Sequence, residues 1–162
     1  MKQHPSFEGL DGSGLRIAVV AALFNGTITE SLVKWCREGS SRAGVGEDAV
    51  VTSWVPGAFE LAFAAKAHAE SGAVDAVVCL GAVIRGETAH FDFVAGEAAR
   101  GIQSVALETG VPVMFGVLTT DTVEQAEARS ADDESNKGFE AAQGAIHMTH
   151  VLKRIRGAET GE

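Results

Sequence analysis

The sequence predicts one α/β domain in three layers, a four-stranded parallel sheet flanked by helices. Three observations predict it. Four short apolar runs recur along the 162 residues, each rich enough in β-branched residues to be a strand buried on both faces. Each run is followed by a stretch with helical spacing of its apolar residues, and such alternation implies parallel strands joined by right-handed crossovers. The length suits a single hydrophobic core, and no repeat, low-complexity linker or domain boundary divides it.

Residues 1–14 are expected to form an N-terminal arm, either loose or added as a strand to a neighbour's sheet. The domain then occupies 15–157, and 158–162 form a tail. Residues 15–22, LRIAVVAA, are the first strand, broken at Asn25-Gly26. Thr27 and Glu30 read as a capping box, hydroxyl and carboxylate each satisfying an amide at a helix start. That helix is predicted to reach Ala43 and stop at Gly44. Residues 49–55 form the second strand, ended by Pro56-Gly57, and 58–70 are helical until Ser71-Gly72. Residues 75–84, DAVVCLGAVI, are the third strand. A polar loop leads to a helix over 91–108 that ends near Gly110. Residues 112–118, PVMFGVL, are the fourth strand. Thr122 and Gln125 offer a second capping box for a short helix to Arg129. The polar loop SADDESN precedes a last helix over 138–156.

Composition narrows the function. The formal charge is −9 and the pI about 5.0, a balance that argues against nucleic acid or an anionic membrane as partner. The one basic cluster, Lys153, Arg154 and Arg156, suits the negative end of the last helix dipole. Hydrophobic residues make up 46% of the chain and the mean hydropathy is +0.11, apolar enough to suggest burial against other copies of itself. Cys36 and Cys79 form no CxxC pair and read as buried thiols of a reducing compartment. The N-terminus lacks an apolar signal region, and no run approaches the ~18 residues that span a bilayer. A cytoplasmic location is expected.

Ligands of open parallel sheets bind beyond the carboxyl ends of the strands. That rule selects Phe24 and Asn25, then residues 56–60, then residues 85–90 (RGETAH), and finally Thr119, Thr120 and Asp121. The third segment carries the most chemistry. Its amides and the Thr88 hydroxyl can hold an anion at a helix start, and His90 can exchange a proton near neutral pH. Equally, His90 and Thr88 could only cap that helix. Glu60 either favours a helix dipole or accepts a ligand hydroxyl. Phe24 and Phe59 read as core residues or as faces for a flat heterocycle. By pattern alone Arg129 and Lys137, which bracket the acidic loop, are solvated surface charges. His147 and His150 share a helix face, yet a metal would need further ligands and none is evident. No metal and no cofactor is expected.

Taken together these segments resemble the lumazine synthase family. The likeness runs from Phe7-Glu8-Gly9 to the final helix. It is carried by GAVIRGETAHFDFVAGE at 81–97, FGVLTTDTVEQAEAR at 115–129, VPGAFE at 55–60, FN at 24–25 and NKG at 136–138. Five motifs in order and register are specific where one would be weak. The resemblance implies a flavodoxin-like strand order, 2-1-3-4, and a homo-pentamer with active sites between adjacent subunits. It implies condensation of 5-amino-6-(D-ribitylamino)uracil with 3,4-dihydroxy-2-butanone 4-phosphate into 6,7-dimethyl-8-ribityllumazine, in riboflavin synthesis.

The same resemblance assigns roles. Phe24 would stack on the pyrimidine, while Ala58, Phe59 and Glu60 would hold the ribityl chain. Ala82, Val83 and Ile84 would line the ring pocket through their backbone. Glu87 and Thr88 would bind the sugar phosphate, and His90 would be the acid/base. Phe115, Arg129 and Lys137 would complete the site, the first two from the adjacent subunit. Two positions depart from the family pattern. Leu23 stands where many relatives carry Arg, and loop 130–135 is acidic where shell-forming relatives have a Gly- and Lys-containing turn. That loop bears on whether pentamers assemble into a sixty-subunit icosahedral shell; the lack of an insertion leans towards a shell. Two alternatives stay open: an archaeal-type riboflavin synthase joining two lumazines, and a non-catalytic flavin- or lumazine-binding shell protein.

Overall fold

The computed structural model describes residues 9–157. The first eight residues of the expected arm and the whole of the expected tail lie outside that range. Nine main elements follow in chain order: β1 (Ile17–Ala22), α1 (Gly26–Arg42), β2 (Val50–Val55), α2 (Leu61–Glu70), β3 (Ala76–Ile84), α3 (His90–Thr109), β4 (Val113–Thr120), α4 (Val123–Arg129) and α5 (Lys137–Ile155). The strands form one sheet in the order β2-β1-β3-β4, and every neighbouring pair is parallel. This is the predicted α/β architecture and the 2-1-3-4 order.

The central strands show why their sequences are apolar throughout. All six residues of β1 are buried, as are all of β3 except half-buried Ile84. Alternate side chains of a strand point to opposite faces, so each central strand serves two cores. Ile17, Val19, Val78 and Leu80 pack with Leu32 of α1 and Ile146 of α5. Val20, Val77 and Cys79 face the other way, onto Leu61 of α2 and Ile102 of α3. Cys36 and Cys79 are both free and buried. Loss of water pushes each thiol up to about 12, so neither is a nucleophile near neutral pH.

Several boundaries differ from the sequence expectation, for reasons the contacts show. The Thr27–Glu30 capping box does not form. Helix α1 starts two residues earlier than that box requires, from Asn25 in the left-handed region (φ 56°, ψ 47°) with no side-chain cap; the Asn25 side chain turns instead to β3, where its Nδ2 donates to the Ala82 carbonyl. The Thr122 box does form, its hydroxyl accepting from the Gln125 amide and the Gln125 side chain accepting from Thr122. Residues 58–60 make a 3-10 turn before α2 proper. Strand β4 continues to Thr120, past the predicted end at 118, because it pairs with β3 up to Ile84–Thr120. Helix α5 begins at Lys137, capped by the Asn136 side chain, which accepts from the Gly138 amide at 2.8 Å. Gly138 has no room for a side chain: a Cβ there would lie 2.0 Å from the Leu32 carbonyl oxygen. At that point α5 rests directly on the backbone of α1.

Candidate active site

The carboxyl ends of β1, β2 and β3 form a cleft whose shape begins with one turn. Beyond β1 the Leu23 amide still donates to the Val55 carbonyl (2.8 Å) and the Phe24 amide to the Pro56 carbonyl (3.2 Å). Asn25 then bends the chain; it is the one non-glycine residue with positive φ among the described residues. That conformation costs an L residue about 1–2 kcal/mol, and Asn tolerates it best among side-chain-bearing residues. Its Nδ2 donates to the Ala82 carbonyl at 2.8 Å, tying the turn to the end of β3. Buried Thr29 donates back to the Phe24 and Asn25 carbonyls, both at 3.3 Å. The backbone on both sides of Phe24 is thereby fixed, and its ring projects outward, 74% exposed.

The second wall comes from residues 56–60. Pro56-Gly57 ends β2, and the turn that follows buries Ala58, leaves Glu60 half-buried and turns Phe59 outward. A Cβ on Gly57 would touch both the Phe24 ring (3.7 Å) and the Glu60 carboxylate (3.9 Å), so these groups converge. Ala82, Val83 and Ile84 at the end of β3 form the floor, and His90 with Phe93 and Val94 in the first turns of α3 form the far side. The cleft holds about 570 Å³. On the other side of Asn25 and Ile84, a second hollow of about 530 Å³ lies between α1 and α4.

Eight of the residues singled out in the sequence thus line one cleft: Phe24, Ala58, Phe59, Glu60, Ala82, Val83, Ile84 and His90. Glu87 and Thr88 lie exposed in the loop at its rim, where the Thr88 hydroxyl accepts from the His90 amide at 3.3 Å. Arg85, in the same loop, is occupied by structure. Its guanidinium donates to Asp121 (2.9 Å) and Asp92 (3.3 Å) and lies 4.2 Å over the Phe91 ring. The Asp121 hydrogen bond above all raises its pKa further, and the loop is pinned between β4 and α3.

Three further residues, away from the rim as well, are not part of this lining. Phe115 sits on edge strand β4, 45% exposed, with the same parity as Val113 and Val117 and therefore on the α2/α3 face. Arg129, at the end of α4, donates to the Gln125 carbonyl at 3.0 Å. Lys137 pairs with Glu140 at 2.7 Å. Sequence reasoning missed Phe93 and Val94; Phe93 lies three residues after His90, the spacing that puts two side chains on one helix face. It also missed that Asn25 holds the floor, a contact across 57 residues that no local pattern encodes.

Exposed ring faces suit a flat heterocycle, a carboxylate accepts hydroxyl groups, and an imidazole moves protons. The loop amides before α3 can meet an anion with the positive end of a 20-residue helix behind them. Among the described residues no three His, Cys, Asp or Glu side chains are grouped to hold a metal ion, and no helix is long and apolar enough to cross a membrane. Residues 14–153 match the family model described as 6,7-dimethyl-8-ribityllumazine synthase.

Proposed function

Because the chain belongs to the 6,7-dimethyl-8-ribityllumazine synthase family, we propose that it joins 5-amino-6-(D-ribitylamino)uracil to 3,4-dihydroxy-2-butanone 4-phosphate, releasing the lumazine, inorganic phosphate and water. The observation that carries this reading is the single cleft shared by the Phe24 and Phe59 rings, the Glu60 carboxylate and the His90 imidazole. Phe24 stacks on the pyrimidine, Ala58, Phe59 and Glu60 hold the ribityl hydroxyls, and the backbone of Ala82, Val83 and Ile84 meets the ring edge. Glu87 and Thr88 present main-chain amides to the phosphate. Phe115 and Arg129 enter from the neighbouring subunit, Phe115 covering the heterocycle and Arg129 pairing with phosphate. Lys137 adds a second positive charge near that group.

The chemistry asks for proton movement and charge stabilisation. The primary amine of the uracil attacks the ketone and water leaves as the imine forms. A carbon-bound proton is then removed and the carbon–oxygen bond to phosphate breaks, leaving an enol that tautomerises to a ketone. The ribityl-bearing nitrogen closes the ring on that carbonyl, and a second water leaves. Each step gives or takes a proton that His90 can carry. Arg129 and the loop amides stabilise the departing phosphate, and holding both reactants in one cleft removes the entropic cost of their encounter. No step transfers an electron to a carrier.

The assembly that suits this site is a homo-oligomer of pentamers in the cytoplasm, extended to a sixty-subunit shell when twelve pentamers close. Incubation with both substrates, followed by lumazine fluorescence, tests the reaction; no fluorescent product overturns it. Lumazine supplied alone should yield no riboflavin, and riboflavin formation would assign the chain to the other synthase instead. A mass measurement in solution distinguishes pentamer from shell.

A further inference from the structure

We infer that Asn136 and Ser31 are positioning residues that set the placement of Arg129 and Lys137, an inference that rests on the reading above of those two cations as phosphate ligands. The two cations flank loop 130–136, one residue outside each end. Ser130 follows Arg129, and the Ser31 hydroxyl on α1 donates to the Ser130 carbonyl at 2.7 Å. Asn136 precedes Lys137, and its Nδ2 donates to the same Ser31 oxygen at 3.2 Å and to the Ala131 carbonyl at 2.9 Å. Both ends of the loop therefore hang from one hydroxyl.

Capping α5 needs only the Asn136 carbonyl oxygen, which accepts from Gly138. Asn136 is fully buried, so its amide hydrogens must find acceptors inside the protein. Its amide hydrogens go to Ser31 on α1 and to Ala131 at the far end of the loop, a task that capping does not require. The loop's own charges are also turned aside. Asp132 accepts from Lys34 (2.6 Å) and from the Trp35 indole (2.8 Å), and Glu134 accepts from Arg42 at 2.5 Å. Asp133 accepts from the Ser135 amide at 2.8 Å. The Lys34 hydrogen bond first, then Trp35, holds Asp132 below the usual carboxylate range; Ser135 does the same for Asp133. Three carboxylates lie between the two cations, yet Arg129 makes no ion pair among the described residues. The arrangement keeps the guanidinium available to an outside anion while fixing where it stands.

A cation serves a bound dianion only from a set position, and displacement of a positioned group by about 1 Å can weaken its effect by up to ~100-fold. The test uses the whole assembled protein, with inorganic phosphate as probe and steady-state kinetics on both substrates. Ser31→Ala should weaken phosphate binding and raise KM for the sugar phosphate about ten-fold, with KM for the pyrimidine unchanged. Asn136→Asp keeps the acceptor that caps α5, loses the donors, and should behave alike. Ser31→Thr keeps the hydroxyl and should restore phosphate affinity. Unchanged phosphate affinity in Ser31→Ala, with or without a lower melting temperature, overturns the positioning role. If the unaltered protein makes no lumazine, the proposed reaction falls while the phosphate titrations still decide the present inference. An unaltered protein that binds no phosphate overturns both.

Discussion

The two faces of the sheet are finished to different degrees. On the α1/α5 face, buried Asn136, Thr29 and Ser40 all have hydrogen-bond partners, Trp35 packs edge-on to Phe139, and the loop before α5 is laced to α1. On the α2/α3 face the inner surfaces are equally apolar, but outside them Phe63, Leu107, Phe93 and Phe59 stand 86%, 75%, 70% and 62% exposed. Small residues line the buried side of these helices (Ala65, Ala69, Ala98), bringing them close to the sheet. The large apolar groups look outward instead. One face leaves few large apolar side chains outside, Ile155 at the end of α5 among them; the other has the surface of something to be covered. The cleft opens beside that unfinished face.

The contrast can be broken most severely at Gly138. Gly138→Ala forces a carbon against the Leu32 carbonyl, and α5 must lift from α1. A loss of about 3 kcal/mol in unfolding free energy is expected, read by denaturant titration at fixed protein concentration; an unchanged midpoint would show that the finished face has slack. On the cleft side, His90→Ala should lower kcat about 100-fold without moving the melting temperature, since the side chain is exposed. Full turnover would remove it from the mechanism. Phe63→Ser should leave the isolated fold intact and weaken self-association by about 2 kcal/mol if that ring is buried between copies. Analytical ultracentrifugation across a dilution series reads the effect, and an assembly indifferent to the change would place the contact elsewhere.

The smallest effect concerns pH. Asp132 and Asp133 are held below their ordinary value of 3.8 in the folded chain. The stability they contribute is present above that value and lost as pH falls through the lowered folded one. Melting temperature should therefore decline below about pH 4, and the decline should be shallower in Asp132→Asn. Equal slopes would mean that the loop's tether to α1 does not depend on this carboxylate.

What could be read from the chain alone follows the same division. β1 and β3 were legible because burial on both faces leaves no polar position in them. The box at Thr122 was legible because both of its partners lie within one turn. The false box at Thr27 has the same spacing, with Glu in place of Gln, but Asn25 answers to Ala82 in another strand, and a long-range bond overrides a local motif. Phe93 escaped notice because an exposed ring three residues past His90 looks like any helix position until the wall of β2 stands opposite. Resemblance assigned Phe115 and Arg129 to the cleft of an adjacent subunit and Lys137 to its neighbourhood, and within one folded chain all three lie off the lining. On the proposed reading such residues serve the cleft of a neighbouring copy, and no pattern within one folded chain reveals that.

The sharing of β3 between two cores has a consequence for how such a protein diversifies. The residues on the cleft floor are the last rungs of a ladder whose lower rungs hold both layers of helices in register. Altering Ala82 or Val83 to admit a different ring would unsettle the keel of the molecule, whereas Phe24, Phe59 and Phe93 hang from turns and a helix start and can be exchanged at little structural expense. New substrate preferences in this scaffold should therefore arise at the rim and seldom in the floor.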